Sequence, residues 1–165
     1  MRTTMDPSGE PLFIDTEMNA VRPDTPFVER DAITAVVRDP KTGRYLGLTW
    51  KQVEWDTLIT GGIEEGQTAE EAARAEIREE TGYKNLRLIQ ELPRYHSKFY
   101  HHPKGENRFA HFSCFLFELI DDERDEIDAG EKAKHEPVWL SRKEMETFRL
   151  PEGHRFIIEQ VYALE

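Results

Sequence analysis

Residues 61 to 83 read Gly61-Gly62-Ile-Glu-Glu-Gly-Gln67-Thr68-Ala-Glu-Glu-Ala-Ala-Arg-Ala75-Glu76-Ile-Arg-Glu79-Glu80-Thr81-Gly82-Tyr83. Thr68 is followed three residues later by Glu71. The threonine side chain can therefore accept a backbone N–H while the glutamate reaches back to the threonine's own N–H. A helix is expected to start there and to end at Thr81-Gly82, where glycine can take the left-handed conformation that closes a helix. At 3.6 residues per turn, Glu80 lies roughly 40° to one side of Glu76 and Glu79 roughly 60° to the other. The three acids share one face. Ala69, Ala72 and Ala73 continue it, small enough for neighbouring strands to pack close, while Arg74, Arg78 and Glu71 fall on the far side.

Two carboxylates one turn apart, about 6 Å from each other, repel by roughly 3 kcal/mol at an effective dielectric near 20. Such a pair calls for neutralisation. Hard oxygen ligands at i and i+4, beside glycines that expose backbone carbonyls, suit Mg²⁺ or Mn²⁺.

With its flanking loop the stretch resembles the Nudix box of MutT-like hydrolases, Gly-x5-Glu-x7-Arg-Glu-U-x-Glu-Glu-x-Gly-U, where U is a bulky apolar residue. Gly61, Glu76, Ile77, Glu79, Glu80 and Gly82 fall on the pattern in register, with Tyr83 a loose match at its last position. Gln67 stands where the family has its first box glutamate, and Ala75 stands where it has arginine. In the family those two groups help to hold the loop and orient the metal-binding glutamates. Losing both leaves no orphaned charge. Arg74 points about 160° from Glu76 and is no substitute, whereas Gln67 can still bridge loop amides through its own amide.

The resemblance spans roughly residues 29 to 164 and implies an α+β fold, an α/β/α sandwich with a mixed β-sheet between helices. It also implies Mg²⁺- or Mn²⁺-dependent hydrolysis of a phosphoanhydride, because cations on phosphate oxygens neutralise developing charge and lower the pKa of an attacking water. Glu76 and Glu80 are the expected metal ligands, joined by a Gly61 or Gly62 carbonyl. Glu79 is expected as a further ligand or as the acceptor of the water's proton. Many members use another acid outside the box as base or extra ligand, and Glu136 and Glu131 are the nearest candidates by chain position.

At 165 residues and 38% hydrophobic content, the chain can build one core but not two comfortable domains. Its net charge of −11, from 33 acidic and 22 basic residues, argues against general nucleic-acid binding, which wants a basic footprint. The one cysteine, Cys114, lies in the apolar run Phe112-Ser-Cys-Phe-Leu-Phe117, so a buried small hydrophobe is expected and a disulfide framework is excluded. There is no basic-then-apolar leader pattern and no apolar run near the ~18 residues that cross a bilayer, so a cytoplasmic protein is expected.

Residues 1–28 are polar and hold four of the nine prolines. They are expected as an extended arm available to a second subunit, a homodimer being one expected assembly. The rest, 29–165, is expected as one Nudix-like domain. Ala32 to Val37 and Tyr45 to Trp50 read as strands, with a hairpin turn at Asp39-Pro-Lys-Thr-Gly43. Leu86 to Leu92 alternates loosely, and Arg108 to Leu119 is apolar on both faces, as a covered central strand would be. Asp121 to Asp128 reads as a solvated loop. Glu136 to Leu140 reads as a short strand, Ser141 to Glu144 as a second capping box, and Glu152 to Ala163 as a helix burying Phe156, Ile157, Val161 and Leu164.

Substrate contacts are expected from two regions. Basic and aromatic groups interleave from Arg94 to Arg108, so Lys98 and Arg108 are candidates to clamp phosphate, although an ordinary strand and exposed loop would read alike. Trp50, Lys51 and Trp55 precede the box loop, where an aromatic wall would suit a nucleobase, although core or rim packing is the more ordinary reading of the tryptophans. Adjacent His101 and His102 point to opposite faces of an extended segment and have no evident third metal ligand.

The Ser-Gln-Pro-Trp-type signature of NADH pyrophosphatases is missing. The proline expected about sixteen residues past the box in ADP-ribose hydrolases is also absent, with Lys98 and Phe99 in that region. The expected substrate is therefore a nucleoside di- or triphosphate or a related diphosphate derivative. A Nudix-fold binding or regulatory module with weak hydrolysis is the alternative. An isomerase on the same fold would want a cysteine in an open site, which Cys114 does not offer.

Overall fold

In the computed structural model, which describes residues 2–165, the elements run β1 (Arg2–Met5), β2 (Pro11–Ile14), β3 (Phe27–Arg38), β4 (Tyr45–Trp50), β5 (Asp56–Thr57), β6 (Ile59–Gly62), α1 (Ala69–Thr81), β7 (Leu86–His101), β8 (Glu106–Leu119), α2 (Ala129–Lys132), β9 (His135–Leu140), α3 (Arg142–Met145) and α4 (Glu152–Tyr162). The strands form one mixed sheet in the order β1-β2-β7-β8-β3-β4-β5, with β6 also paired to β3 and β9 to β4. Central β3 and β8 are parallel from Phe27↔Asn107 to Arg38↔Glu118.

Period-two alternation along β3 explains how both faces of the sheet are filled. Ile33, Ala35 and Val37 face one way and pack with Ala72, Ala73 and Ile77 of α1. Ala32 and Val36 face the other way, into a core with Ile157, Ile158 and Val161 of α4. The same division holds in β8, where Phe115 and Phe117 lie on the α1 side and Phe112, Cys114 and Leu116 on the α4 side. Helix, sheet and helix are thus stacked as an α/β/α sandwich. Thr34 Oγ1 and Tyr95 Oη lie 2.8 Å apart within the α4-side layer, so two buried hydroxyls satisfy each other.

Both ends of α1 follow their sequence signals. Thr68 accepts the Glu71 N–H at 3.1 Å, Glu71 returns the bond to the Thr68 N–H at 3.1 Å, and Gly82 closes the helix at φ 84°. The capping box at Ser141 and Glu144 is likewise formed. Burial raises the Cys114 thiol pKa well above its ordinary range, in keeping with a packing role.

Three expectations differ from the structure. Residues expected as an extended arm contain the β1–β2 hairpin, whose second strand pairs in parallel with β7 from Leu12↔His96 to Ile14↔Lys98. Leu12 and Phe13 are buried there, so apolar area fastens this segment to its own sheet. The expected clamp loop at 94–108 is mostly strand: β7 continues to His101 and turns at His102–Lys104, with Gly105 at φ 61°. On α4, Ile158 is buried and Leu164 is exposed, because the helix ends at Tyr162. Among the described residues, no helix is long and apolar enough to cross a membrane.

Candidate active site

The site is assembled where β6 passes the middle of α1. Antiparallel pairing of β6 with β3 sets Gly61 opposite Ile33 and Gly62 opposite Ala32, and the chain then enters the loop that leads to Thr68. The Glu76 carboxyl lies against Gly61 so closely that a Cβ on Gly61 would overlap its Cδ. Glycine is thus required here for close approach, not for an unusual φ.

Glu80 lies one turn further along, 8% exposed. Its Oε2 is buried and has no hydrogen-bond partner among the described residues. Burial, followed by the charge of Glu76, pushes the Glu80 carboxyl well above the usual carboxylate range. Burial also raises Glu76, to about 6, with Glu79, Glu131 and Glu64 adding repulsion. A buried acceptor without a donor, beside a second carboxylate and a bare glycine backbone, is a donor set that fits a hard divalent cation. Glu79 shares the helix but is exposed.

The two box departures are accommodated locally. Gln67 Oε1 accepts the Glu64 N–H at 3.0 Å and the Gln67 N–H reaches the Glu64 carbonyl at 3.0 Å, so the loop is bridged through the amide. Ala75 is exposed. Arg74 points away, bound to Glu70 at 2.9 Å and to the Leu86 carbonyl at 2.8 Å.

A cleft of about 750 Å³ opens at this point. Glu29, Asp31, Glu64, Glu65 and Glu76 line it together with Arg30, Lys104 and Arg108. Through Thr60, Phe99 and Phe112 it shares walls with a second pocket of about 330 Å³, lined by Trp50, Trp55, Phe13 and Tyr95 together with Asp15 and His154. His154 Nδ1 accepts the Leu58 N–H at 3.2 Å, which leaves Nε2 as the ring's donor. Burial holds His154 down to about 4, so the ring is neutral.

Arg108 and Trp50 lie where a substrate could reach them, in the cleft and the adjoining pocket respectively. Lys98 does not. Phe99 and His101 line the cleft, so strand alternation turns Lys98 to the opposite face, over the rings of Phe27 at 5.1 Å and Phe109 at 4.7 Å. Lys51 lines neither pocket; its Nζ donates to the Lys132 carbonyl at 2.7 Å.

Of the two outside acids, Glu136 projects to solvent, 4.0 Å from Lys51. Glu131 is the one whose charge reaches Glu76 and Glu80. It is held 2.9 Å from Nε2 of buried His135. Sequence reasoning passed over Asp15 and His154, which stand in segments without a motif.

The fold and this arrangement define an α/β/α scaffold with a carboxylate pair at its cleft, and the comparisons identify its family. The NUDIX domain profile matches residues 28–161, and the chain belongs to the Nudix family. Similar solved structures include the NUDIX domain of Shewanella oneidensis NrtR complexed with ADP ribose, at TM-score 0.65 and 14% identity, covering 87% of this chain and 92% of that one. A MutT NUDIX hydrolase from Burkholderia pseudomallei aligns at TM-score 0.58 and 21% identity, covering 81% and 98%. The E. coli dihydroneopterin triphosphate pyrophosphohydrolase aligns at TM-score 0.58 and 20% identity, covering 84% and 99%. At these identities the likeness establishes the fold. None of the curated proteins matches the chain.

Proposed function

We propose that this chain hydrolyses a phosphoanhydride bond in a nucleoside di- or triphosphate or a related diphosphate derivative, with Mg²⁺ or Mn²⁺ as cofactor. The observation that carries this reading is the buried, unpartnered Glu80 Oε2 beside Glu76 and the bare Gly61 backbone. Members of the family usually use divalent metals. The bound cation would supply charge neutralisation at phosphate oxygens and a lowered pKa for the attacking water.

The chain's own groups divide the remaining work. Glu76 and Glu80 would hold the cation with the carbonyl of Gly61 or Gly62, and Glu79 would complete the set from the exposed side of α1. Arg108, Arg30 and Lys104, which line the cleft, receive the phosphates. The adjoining aromatic pocket takes the apolar, ring-bearing end, where neutral His154 offers an N–H and Asp15 an acceptor. Glu131, one of the two acids outside the box, accepts the proton of the water. His135 keeps the Glu131 carboxylate oriented.

One observation favours a second reading, a nucleotide-binding module with weak turnover. Ala75 leaves Glu76 without the arginine that orients it in the family pattern. A panel of nucleoside polyphosphates, dinucleotides and nucleoside diphosphate derivatives, incubated with Mg²⁺ or Mn²⁺, separates the two. Phosphate or pyrophosphate release on at least one member supports the hydrolase. Tight binding without release supports the module.

A further inference from the structure

The turn between β1 and β2 meets β7 at a group of ionisable side chains that the hydrolytic site does not use. Asp6 Oδ2 and Glu10 Oε1 each lie 3.0 Å from Nε2 of His96. The three donor atoms are all within 4.8 Å of one another, and His96 is buried, 5% exposed. The turn organises its own acids. Asp6 Oδ1 accepts the Ser8 N–H at 3.1 Å, the Ser8 hydroxyl at 2.7 Å and the Glu10 N–H at 2.8 Å, which leaves Oδ2 to face the imidazole.

Behind His96, Nδ1 lies 2.7 Å from Nδ1 of His111, and His111 Nε2 lies 3.2 Å from Glu29 Oε1. Each Nε2 faces carboxylate oxygen, so a positive or hydrogen-bearing occupant is needed there. The position at His96 Nε2, between two carboxylate oxygens, takes either a proton or a metal ion. A metal ion on His96 Nε2 fills it and leaves the rest in order: His96 Nδ1–H donates to His111, and His111 Nε2–H donates to Glu29. That is the way a ligating histidine is ordinarily oriented by its other nitrogen.

We propose that Asp6, Glu10 and His96 bind a transition-metal ion of the Zn²⁺ class, separate from the Mg²⁺ or Mn²⁺ site at Glu76 and Glu80, that fastens the N-terminal hairpin to β7. One imidazole nitrogen with two carboxylate oxygens favours such an ion over Mg²⁺, which prefers oxygen ligands and retained water. Around a tetrahedral ion with bonds of about 2.0 Å, ligand atoms sit roughly 3.3 Å apart, so the observed 3.0 Å approaches need only a slight opening. The ion stands at a useful place. β2 follows directly from Glu10, and the chain there carries Phe13 and Asp15 into the wall of the aromatic pocket.

The test uses the full chain, stripped of metal and then held in saturating Mg²⁺, titrated with Zn²⁺ alone and followed by calorimetry and thermal melting. Wild type and Glu80→Gln are expected to take up one Zn²⁺ at the hairpin with a Tm rise of roughly 5 °C or more at a hundredfold excess over the dissociation constant. Glu10→Gln and Asp6→Asn are expected to lose both the uptake and the shift while keeping the far-UV spectrum of wild type. No uptake by wild type overturns the proposal. So does uptake that persists in both hairpin variants, or uptake that vanishes in Glu80→Gln, since either would place the ion elsewhere.

Discussion

The backbone of Gly61 and the carboxyl of Glu76 are in contact that only a missing side chain permits, since a Cβ on Gly61 would overlap the Glu76 Cδ. Gly62, the next residue, has nothing within 4 Å of a Cβ. Gly61→Ala is therefore expected to displace Glu76 and lower activity by about 100-fold, the scale on which small misplacements of catalytic groups act. Gly62→Ala is expected to stay within a few-fold of wild type. Steady-state kinetics on the two variants, with Tm measured beside them, checks the contrast.

The two acids flanking His135 in sequence separate cleanly in space. Glu131, bound to buried His135, is near enough for its charge to raise Glu76 and Glu80, whereas Glu136 is exposed and 4.0 Å from Lys51. Glu131→Gln is expected to lower kcat by about 100-fold, as loss of a general base does. Glu136→Gln is expected to leave it within twofold. Equal effects from the two variants would remove Glu131 from the mechanism.

Arg108 lies on the cleft wall, whereas Lys98 is stacked between Phe27 and Phe109 on the other face of the sheet. Arg108→Ala is expected to reduce kcat/KM about tenfold to a hundredfold, the value of one charge-assisted phosphate contact. Lys98→Ala is expected to leave kinetics unchanged and to lower Tm slightly through the lost cation–π contacts.

His154 supplies a pH signature of the aromatic pocket. Its ordinary value is 6.5 and burial holds it at about 4 in the fold, so the unfolded chain binds the proton first as pH falls. The stability tied to the neutral ring is complete above pH 6.5 and is lost as pH drops through that value toward 4, about 3 kcal/mol in all. Urea denaturation between pH 7 and pH 4 should show a shallower loss for His154→Gln than for wild type. Parallel curves would mean that the ring is not buried neutral.

Local signals made much of this molecule legible in sequence. Thr68, Glu71 and Gly82 marked both ends of α1 because capping chemistry depends on neighbours a few residues apart. Tyr45–Trp50 matches β4, bounded by its turn. What escaped depends on distant partners. β1 and β2 are four residues each, and β2 pairs with β7 about eighty residues away, so nothing local announces them. Lys98 falls on the wrong face for a clamp because 94–101 is strand rather than loop, and its pairing opposite Phe109 in β8 fixes which way it faces. Glu131 and Glu136 differ by five positions along the chain, but Glu131 stands on α2 and Glu136 on β9, a separation visible only in the fold.

The most direct test of the account is phosphoanhydride hydrolysis by wild type and Glu80→Gln, measured side by side with Mg²⁺ or Mn²⁺ on whichever nucleotide of the panel turns over fastest. Glu80→Gln keeps the shape of a buried side chain and removes the charge that the cation needs. The account predicts metal-dependent release by wild type and a rate at least about 100-fold lower in the variant. Equal rates in the two proteins, or release by wild type that persists after chelation of all divalent metal, would contradict it.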